Sequence, residues 1–81
     1  MRDISLEMAI LKILDRLSPT PLRDSVLSHE AEIALPRPLV TTDFEDALKG
    51  LHERRLIGRG DNRFGLPQSW ITEAGRAALN Q

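Results

Sequence analysis

TDFEDALKGLHERRLIGRGDNRFGLPQSWITEAGRAAL, residues 42–79, is the stretch from which most of the fold can be predicted. Its first part places apolar residues at the spacing of one helical face: Phe44, Ala47, Leu48 and Leu51. Thr42 and Glu45 fit a capping box, in which each side chain satisfies a backbone amide at a helix start. The pattern predicts a helix from Asp43 to about Arg55.

After this helix the apolar spacing changes from helical to extended. Residues 56–59 form a short extended run, residues 60–67 are dense in turn-forming residues, and residues 68–72 are extended again. We therefore expect a β-hairpin with a loop. Thr72 is a suitable cap for a last helix over Glu73–Leu79, which is rich in alanine.

The first half of the chain predicts two further helices. Apolar residues recur at helical spacing over residues 5–17 and give a first helix: Leu6, Ile10, Ile13, Leu14 and Leu17. Thr20 before Pro21 predicts the start of a second helix, which runs to about Glu32. Two prolines then prevent regular helix, and residues 39–41 are expected to form a short strand.

Length and composition limit the classes of protein. The chain has 81 residues, 41% of them hydrophobic and 28% charged, which predicts one globular domain over residues 1–81 with a modest core. No apolar run approaches the roughly 20 residues of a membrane span, and the N-terminal residues do not resemble a secretory signal. We therefore expect a cytoplasmic protein that does not contact membranes.

The residues needed for catalysis or metal binding are scarce. There is no cysteine and there are two well-separated histidines, so a zinc site is not expected. No phosphate loop, nucleotide fingerprint or serine elbow is present. The sequence predicts a protein that is not an enzyme and needs no cofactor.

The order of predicted elements is two helices, a strand, a third helix, a strand, a loop, a strand and a last helix. This is a mainly α fold with a small β-hairpin, an α+β class, and it resembles a winged helix, whose loop is the wing. Residues 42–79 also resemble the MarR and PadR types of transcriptional regulator. Three phrases carry the resemblance: LHERRLI at 51–57, an Arg-, Asp- and Gly-rich wing at 58–65, and ITEAG at 71–75.

Two departures from the family pattern are visible. Those regulators usually have glycine before the Leu-Ile pair, because the helix ends in a left-handed residue, whereas Arg55 stands there in this chain. We also expect this chain to be without the long terminal helices with which those regulators dimerise. A homodimer would have to be built differently.

The resemblance implies that the third helix enters the major groove of duplex DNA and that the wing reaches phosphate or the minor groove. However, the early outward positions of that helix are acidic: Asp43, Glu45 and Asp46. Carboxylates in a first helical turn stabilise the helix through its dipole, but they repel phosphate. The net charge of −1 is also unlike that of most nucleic-acid-binding domains.

The candidate DNA contacts are cations near the third helix and the hairpin: Arg37, Lys49, Arg54, Arg55, Arg59 and Arg63. Lys49 is four residues from both Glu45 and Glu53, so its charge is expected to be shared within the helix. Arginine on a wing can enter a narrow minor groove or bind phosphate. A solvated hairpin with scattered charge explains the same arginines equally well.

Trp70 and Phe64 are the candidate contacts for a protein partner. Neighbours in a strand point to opposite faces, so Trp70 points away from the core if Ile71 points into it. Trp70 is then expected to cover the hairpin, over Phe64 or against another element, or else to anchor a partner, since aromatic residues are enriched at interfaces.

Two functions remain open from the sequence. The first is a small DNA-binding regulator that uses the third helix and an Arg-bearing wing. The alternative is a winged-helix module that contacts another protein or a second copy of itself.

Overall fold

The computed structural model describes residues 3–80; Met1, Arg2 and Gln81, which belong to the predicted domain, lie outside the described residues. The elements in chain order are α1 (Ile4–Arg16), β1 (Leu22–Arg23), α2 (Asp24–Ala34), α3 (Thr41–Glu53), β2 (Ile57–Asp61), β3 (Pro67–Ile71) and α4 (Glu73–Leu79). The α+β class with a β-hairpin is confirmed. No helix in the described part of the chain is long and apolar enough to cross a membrane.

The core forms around α1. Asp3 precedes this helix and its carboxylate accepts a hydrogen bond from the Leu6 amide at 3.1 Å, which satisfies one of the free amides of the first turn. The buried hydrophobic residues come from all three long helices and from the hairpin: Leu6, Ile10, Leu11, Ile13, Leu14, Leu27, Ala31, Phe44, Ala47, Leu48, Leu51, Ile57 and Ile71. The predicted inner faces of the first and third helices are therefore confirmed, except at Leu17, which follows the end of α1 and is exposed.

The three strands form one antiparallel sheet in the order β1-β3-β2. Ile57 pairs with Ile71 and Gly58 pairs with Trp70, so the two isoleucines share the buried face of the hairpin. On the other edge of β3, Leu22 pairs with Ser69. The hairpin is therefore held against the helices by its own inner face and by the short strand that precedes α2.

The strand predicted at residues 39–41 is wrong, and so is the helix start predicted at Thr20. The third strand is β1, before α2, because its two residues complete the free edge of β3 and gain backbone hydrogen bonds there. Helix α2 consequently begins at Asp24, with Arg23 as its cap residue. This long-range pairing has no local sequence signal.

The predicted capping box of α3 is also wrong. The helix begins at Thr41, the cap residue is Val40, and no side chain caps the first turn. The amide of Phe44 already donates to the Val40 carbonyl at 3.0 Å, which places Thr42 inside the helix. The cap predicted for the last helix is confirmed, since the Thr72 hydroxyl accepts from the Gly75 amide at 3.1 Å.

The end of α3 keeps the left-handed geometry of the family pattern without its glycine. Arg55 has φ +60°, in the left-handed region. Its amide donates to His52 at 2.9 Å, and the Leu56 amide donates to Leu51 at 2.9 Å, as in a Schellman motif. The chain therefore turns into β2 at a non-glycine residue in a conformation that glycine adopts at lower cost.

Candidate nucleic-acid interface

The face of α3 opposite the core is polar and exposed. Phe44, Leu48 and Leu51 are buried, whereas Lys49 and His52 lie on the exposed side. Lys49 and His52 line a shallow groove between α3 and β2, together with Asp24, Glu45, Leu48 and Arg59. The third helix thus presents an exposed, mainly polar surface of mixed charge beside the hairpin.

The start of α3 is acidic, as the sequence predicts. Glu45 and Asp46 are exposed and Asp43 is half-buried in the first turn. None of these three carboxylates forms an ion pair with another residue among 3–80. Their negative charge at this end of the helix is therefore not cancelled by a neighbouring side chain.

Arg59, a candidate DNA contact, is bound within the domain. Its guanidinium forms two hydrogen bonds with the Asp24 carboxylate, at 3.0 and 2.9 Å, and a third with the Ser69 hydroxyl at 2.6 Å. Ser69 is fully buried, and the Arg59 side chain is only 23% exposed. This arginine joins β2 and β3 to the first residue of α2, so it fixes the hairpin relative to the helices.

Arg54 and Arg37 are also paired with carboxylates. Arg54 binds the buried Glu7 carboxylate at 2.7 Å and donates to the Gly50 carbonyl at 3.1 Å, which connects the end of α3 to α1. Arg37 binds Asp3 at the start of α1. The hydrogen bond from the Leu6 amide, and then that from Arg37, lower the pKa of Asp3 below its usual value.

The remaining three candidate cations are Lys49, Arg55 and Arg63. All three are exposed, and none forms an ion pair with another residue of the described part of the chain. The pairing that the sequence predicts between Lys49 and the glutamates of its helix is absent there. Arg55 lies at the end of α3, and Arg63 lies at the tip of the hairpin. These three side chains can bind an external anion without breaking a described ion pair.

The tip of the hairpin is an ordered turn. The Asn62 side chain accepts hydrogen bonds from the Phe64 amide at 2.8 Å and from the Leu66 amide at 3.0 Å. The Asn62 amide donates to the Leu66 carbonyl at 2.8 Å, and Gly65 has φ +76°. Phe64 is 73% exposed, and the Arg63 guanidinium lies 5.0 Å from the centre of its ring.

Trp70 covers the outer face of the hairpin, but it does not lie over Phe64. It points away from the buried side of Ile71, as the sequence predicts, and its indole rests on Gly58, where a β-carbon would overlap the ring. A β-carbon at Gly60 would also come within 3.5 Å of it. Trp70 is therefore half-buried on two glycines of its own hairpin, so only part of the indole is accessible to a partner.

The residues that hold the arginines were not predicted from the sequence. Ser69 could have been found, because strand alternation places it on the same face as Ile71. Asp24 and Glu7 could not, because their partners are distant in sequence. Within residues 3–80 no group of histidine and carboxylate side chains could hold a metal ion.

The sequence matches no protein-family model and no curated protein. Several solved structures share its fold. A MarR-family transcriptional regulator from Silicibacter pomeroyi is 24% identical and superposes with a TM-score of 0.77 over 94% of this chain and 47% of its own. RosR of H. salinarum is 14% identical, with a TM-score of 0.80 over 94% of this chain and 66% of RosR.

A third solved structure is a winged-helix DNA-binding protein from STIV. It is 17% identical and superposes with a TM-score of 0.74 over 95% of this chain and 80% of its own. The chain thus has the winged-helix fold and is similar to MarR-type regulators. It spans about half the length of the MarR-family regulator.

Proposed function

We propose that this winged-helix chain is a DNA-binding regulator, in which α3 faces the major groove and residues 58–65, within the β2–β3 hairpin, form the wing. One observation carries the proposal: almost the whole chain superposes on proteins described as a transcriptional regulator and a winged-helix DNA-binding protein. Fold likeness alone does not determine function, so the surface must also suit DNA. The exposed polar face of α3, next to a hairpin with an exposed arginine at its tip, is such a surface.

The candidate cations divide into two groups in this proposal. Lys49, Arg55 and Arg63 contact phosphate or the minor groove, since they are exposed and not paired with described carboxylates. The paired arginines would have to break ion pairs to do so. We therefore expect Arg37, Arg54 and Arg59 to contribute mainly to the folded state.

The acidic start of α3 sets the expected mode of binding. Glu45 and Asp46 would lie close to phosphates if the helix entered the groove by its first turn, and each such approach is repulsive. The end of α3 and the wing carry the unpaired cations instead. The proposal therefore places most phosphate contacts there and predicts weak binding at physiological salt.

The test is equilibrium binding of the folded protein to a fluorescent duplex of about two helical turns at low salt. Arg55→Ala and Arg63→Ala should each weaken binding, because each removes one phosphate contact. Lys12→Ala is the matched control, since Lys12 is an exposed cation of α1, away from α3 and the hairpin. Absence of duplex binding, or equal effects of all three variants, would contradict the proposal.

A second candidate function rests on a different surface. The groove between α1 and the end of α2 is lined by apolar side chains, among them Ile4, Met8 and Leu35, and Ile4 is 60% exposed. Lys12 and Arg16 are also among its lining residues. Such a surface suits a protein partner or a second copy of the chain.

Light scattering as a function of concentration tests this alternative. If the surface binds a second copy, the wild type should dimerise and Ile4→Glu should be monomeric with unchanged circular dichroism. A wild type that stays monomeric at high concentration would contradict self-association through this groove.

A further inference from the structure

The hairpin tip carries an aromatic side chain that the fold does not use. Phe64 is 73% exposed and lies outside the buried core cluster of the described residues. A large apolar side chain left in water gives up the stabilisation that its burial in the core would provide. The ring contacts the guanidinium of Arg63, which is also exposed.

We propose that Phe64 is a wedge that enters duplex DNA from the minor groove and partly unstacks one base step, with Arg63 in the groove beside it. The inference rests on the proposed DNA-binding function and adds to it how the wing acts on the duplex. It predicts a protein that deforms DNA, with the tip of the hairpin as the site of deformation.

The rigidity of the tip supports this role. Asn62 accepts two backbone hydrogen bonds across the turn, from Phe64 at 2.8 Å and Leu66 at 3.0 Å. The Gly65 amide donates to the Asn62 carbonyl at 2.9 Å, and Gly65 supplies the left-handed residue of the turn. The backbone below Phe64 is therefore ordered before any ligand binds, which lowers the entropic cost of inserting the ring.

The narrow minor groove admits single side chains of the tip. The major groove, about 12 Å wide, accepts a whole two-stranded ribbon, whereas the minor groove is only about 6 Å wide. A contact made by the tip alone, through Arg63 and Phe64, therefore suits the minor groove. Phenylalanine is one of the residues that proteins insert between base steps there, and arginine is one of those that contact the minor groove beside such a wedge.

The surroundings of Phe64 favour DNA over a protein partner. Its neighbours Asn62, Arg63 and Gly65 are polar or small, and the exposed apolar side chains that follow, Leu66 and Pro67, line a groove beside Arg23 of which Phe64 is not part. An interface hot spot is normally surrounded by further contacts that exclude water, which this narrow tip does not offer. Asp61, at the end of β2, would repel phosphate, so the contact must be made by the tip rather than by the strands.

The test uses the whole protein and duplexes of about two helical turns that contain either flexible TA steps or a stiff A-tract. 2-Aminopurine at the TA steps reports unstacking by an increase in fluorescence. Wild type should bind the TA duplex more tightly and raise this fluorescence. Phe64→Ala should weaken that binding by roughly tenfold, abolish the fluorescence increase and remove the preference for TA.

Two variants separate the wedge from general effects. Leu66→Ala removes an exposed apolar side chain from the same turn and should leave binding and fluorescence unchanged. Arg63→Ala should lower affinity for both duplexes. Circular dichroism should be the same for all three variants, because each residue is exposed.

The outcomes distinguish this inference from the function on which it rests. Salt-sensitive duplex binding with equal affinity and equal fluorescence for wild type and Phe64→Ala would overturn the wedge and leave DNA binding intact. Absence of binding to either duplex would overturn both. If Phe64→Ala lost binding to a protein partner while its duplex affinity and the 2-aminopurine fluorescence stayed at wild-type values, the tip would be assigned to protein recognition instead.

Discussion

Arg55→Gly should make the protein more stable and a weaker DNA binder at the same time. Arg55 has φ +60°, and this left-handed conformation costs an ordinary L-residue about 1–2 kcal/mol, whereas glycine adopts it readily. The Schellman hydrogen bonds at the end of α3 use backbone groups, so glycine retains them. Glycine is also more flexible in the unfolded chain, so we expect a net gain of about 1 kcal/mol.

Urea unfolding followed by fluorescence measures this gain. The chain has a single tryptophan, Trp70, whose half-buried position on the hairpin makes it a reporter of unfolding. Arg55→Ala is the matched control, because alanine removes the guanidinium but keeps the strained conformation. For a domain of this size, about 1 kcal/mol corresponds to a shift of roughly 4–8 °C in Tm.

Both variants lose the same cation, so both should weaken duplex binding to a similar degree. If Arg55→Gly is no more stable than Arg55→Ala, the residue is not strained and the reasoning about the end of α3 is wrong. If both variants bind duplex as tightly as wild type, Arg55 does not contact DNA.

Three further perturbations test the packing of the domain. Arg59→Ala should lower the unfolding free energy by about 2 kcal/mol, because it leaves the buried Ser69 hydroxyl without its partner. It should also reduce duplex affinity less than Arg63→Ala does, and the opposite ranking would make Arg59 a DNA contact. Gly75→Ala should lower the unfolding free energy, measured in urea, by about 2 kcal/mol, because a β-carbon there would overlap the Leu56 carbonyl. This loss should outweigh the better helix propensity of alanine. Unchanged stability would show that α4 can move away from Leu56. The pKa of Asp3 is lowered in the folded protein, so the ionised Asp3 carboxylate stabilises the fold. This stabilisation is fully present above the unfolded pKa of about 3.9 and is lost as pH falls through the lower folded pKa. The difference in unfolding free energy between wild type and Asp3→Ala should therefore shrink at acidic pH, and a difference that does not change with pH would contradict this.

The helices and the hairpin could be predicted because their signals are local. The apolar spacing of α1 and α3, the turn residues of the wing and the Thr72 cap all act within a few residues of chain. The position of β1 could not, because two residues with no strand pattern become a strand only by completing the edge of β3. The start of α3 was missed because an extended Val40, rather than a hydroxyl, precedes it.

In the candidate site, too, local features could be predicted and contacts between distant residues could not. The sequence identifies which cations lie near the third helix and the wing, since this follows from the order of elements. It does not separate exposed cations from paired ones, because the partners of Arg54 and Arg59 are Glu7 and Asp24, in other elements. The burial of Trp70 on Gly58 depends on the strand register and was likewise not visible.

The salt dependence of duplex binding tests the central claim most directly. If Lys49, Arg55 and Arg63 each neutralise one phosphate, the logarithm of the binding constant should fall against the logarithm of salt with a slope of about −2.7. The variant that carries all three changes to alanine should show a slope near zero and much weaker binding, whereas Lys12→Ala should retain the wild-type slope. If wild type did not bind duplex at low salt, or if the triple variant had the same salt slope as wild type, the account would be contradicted.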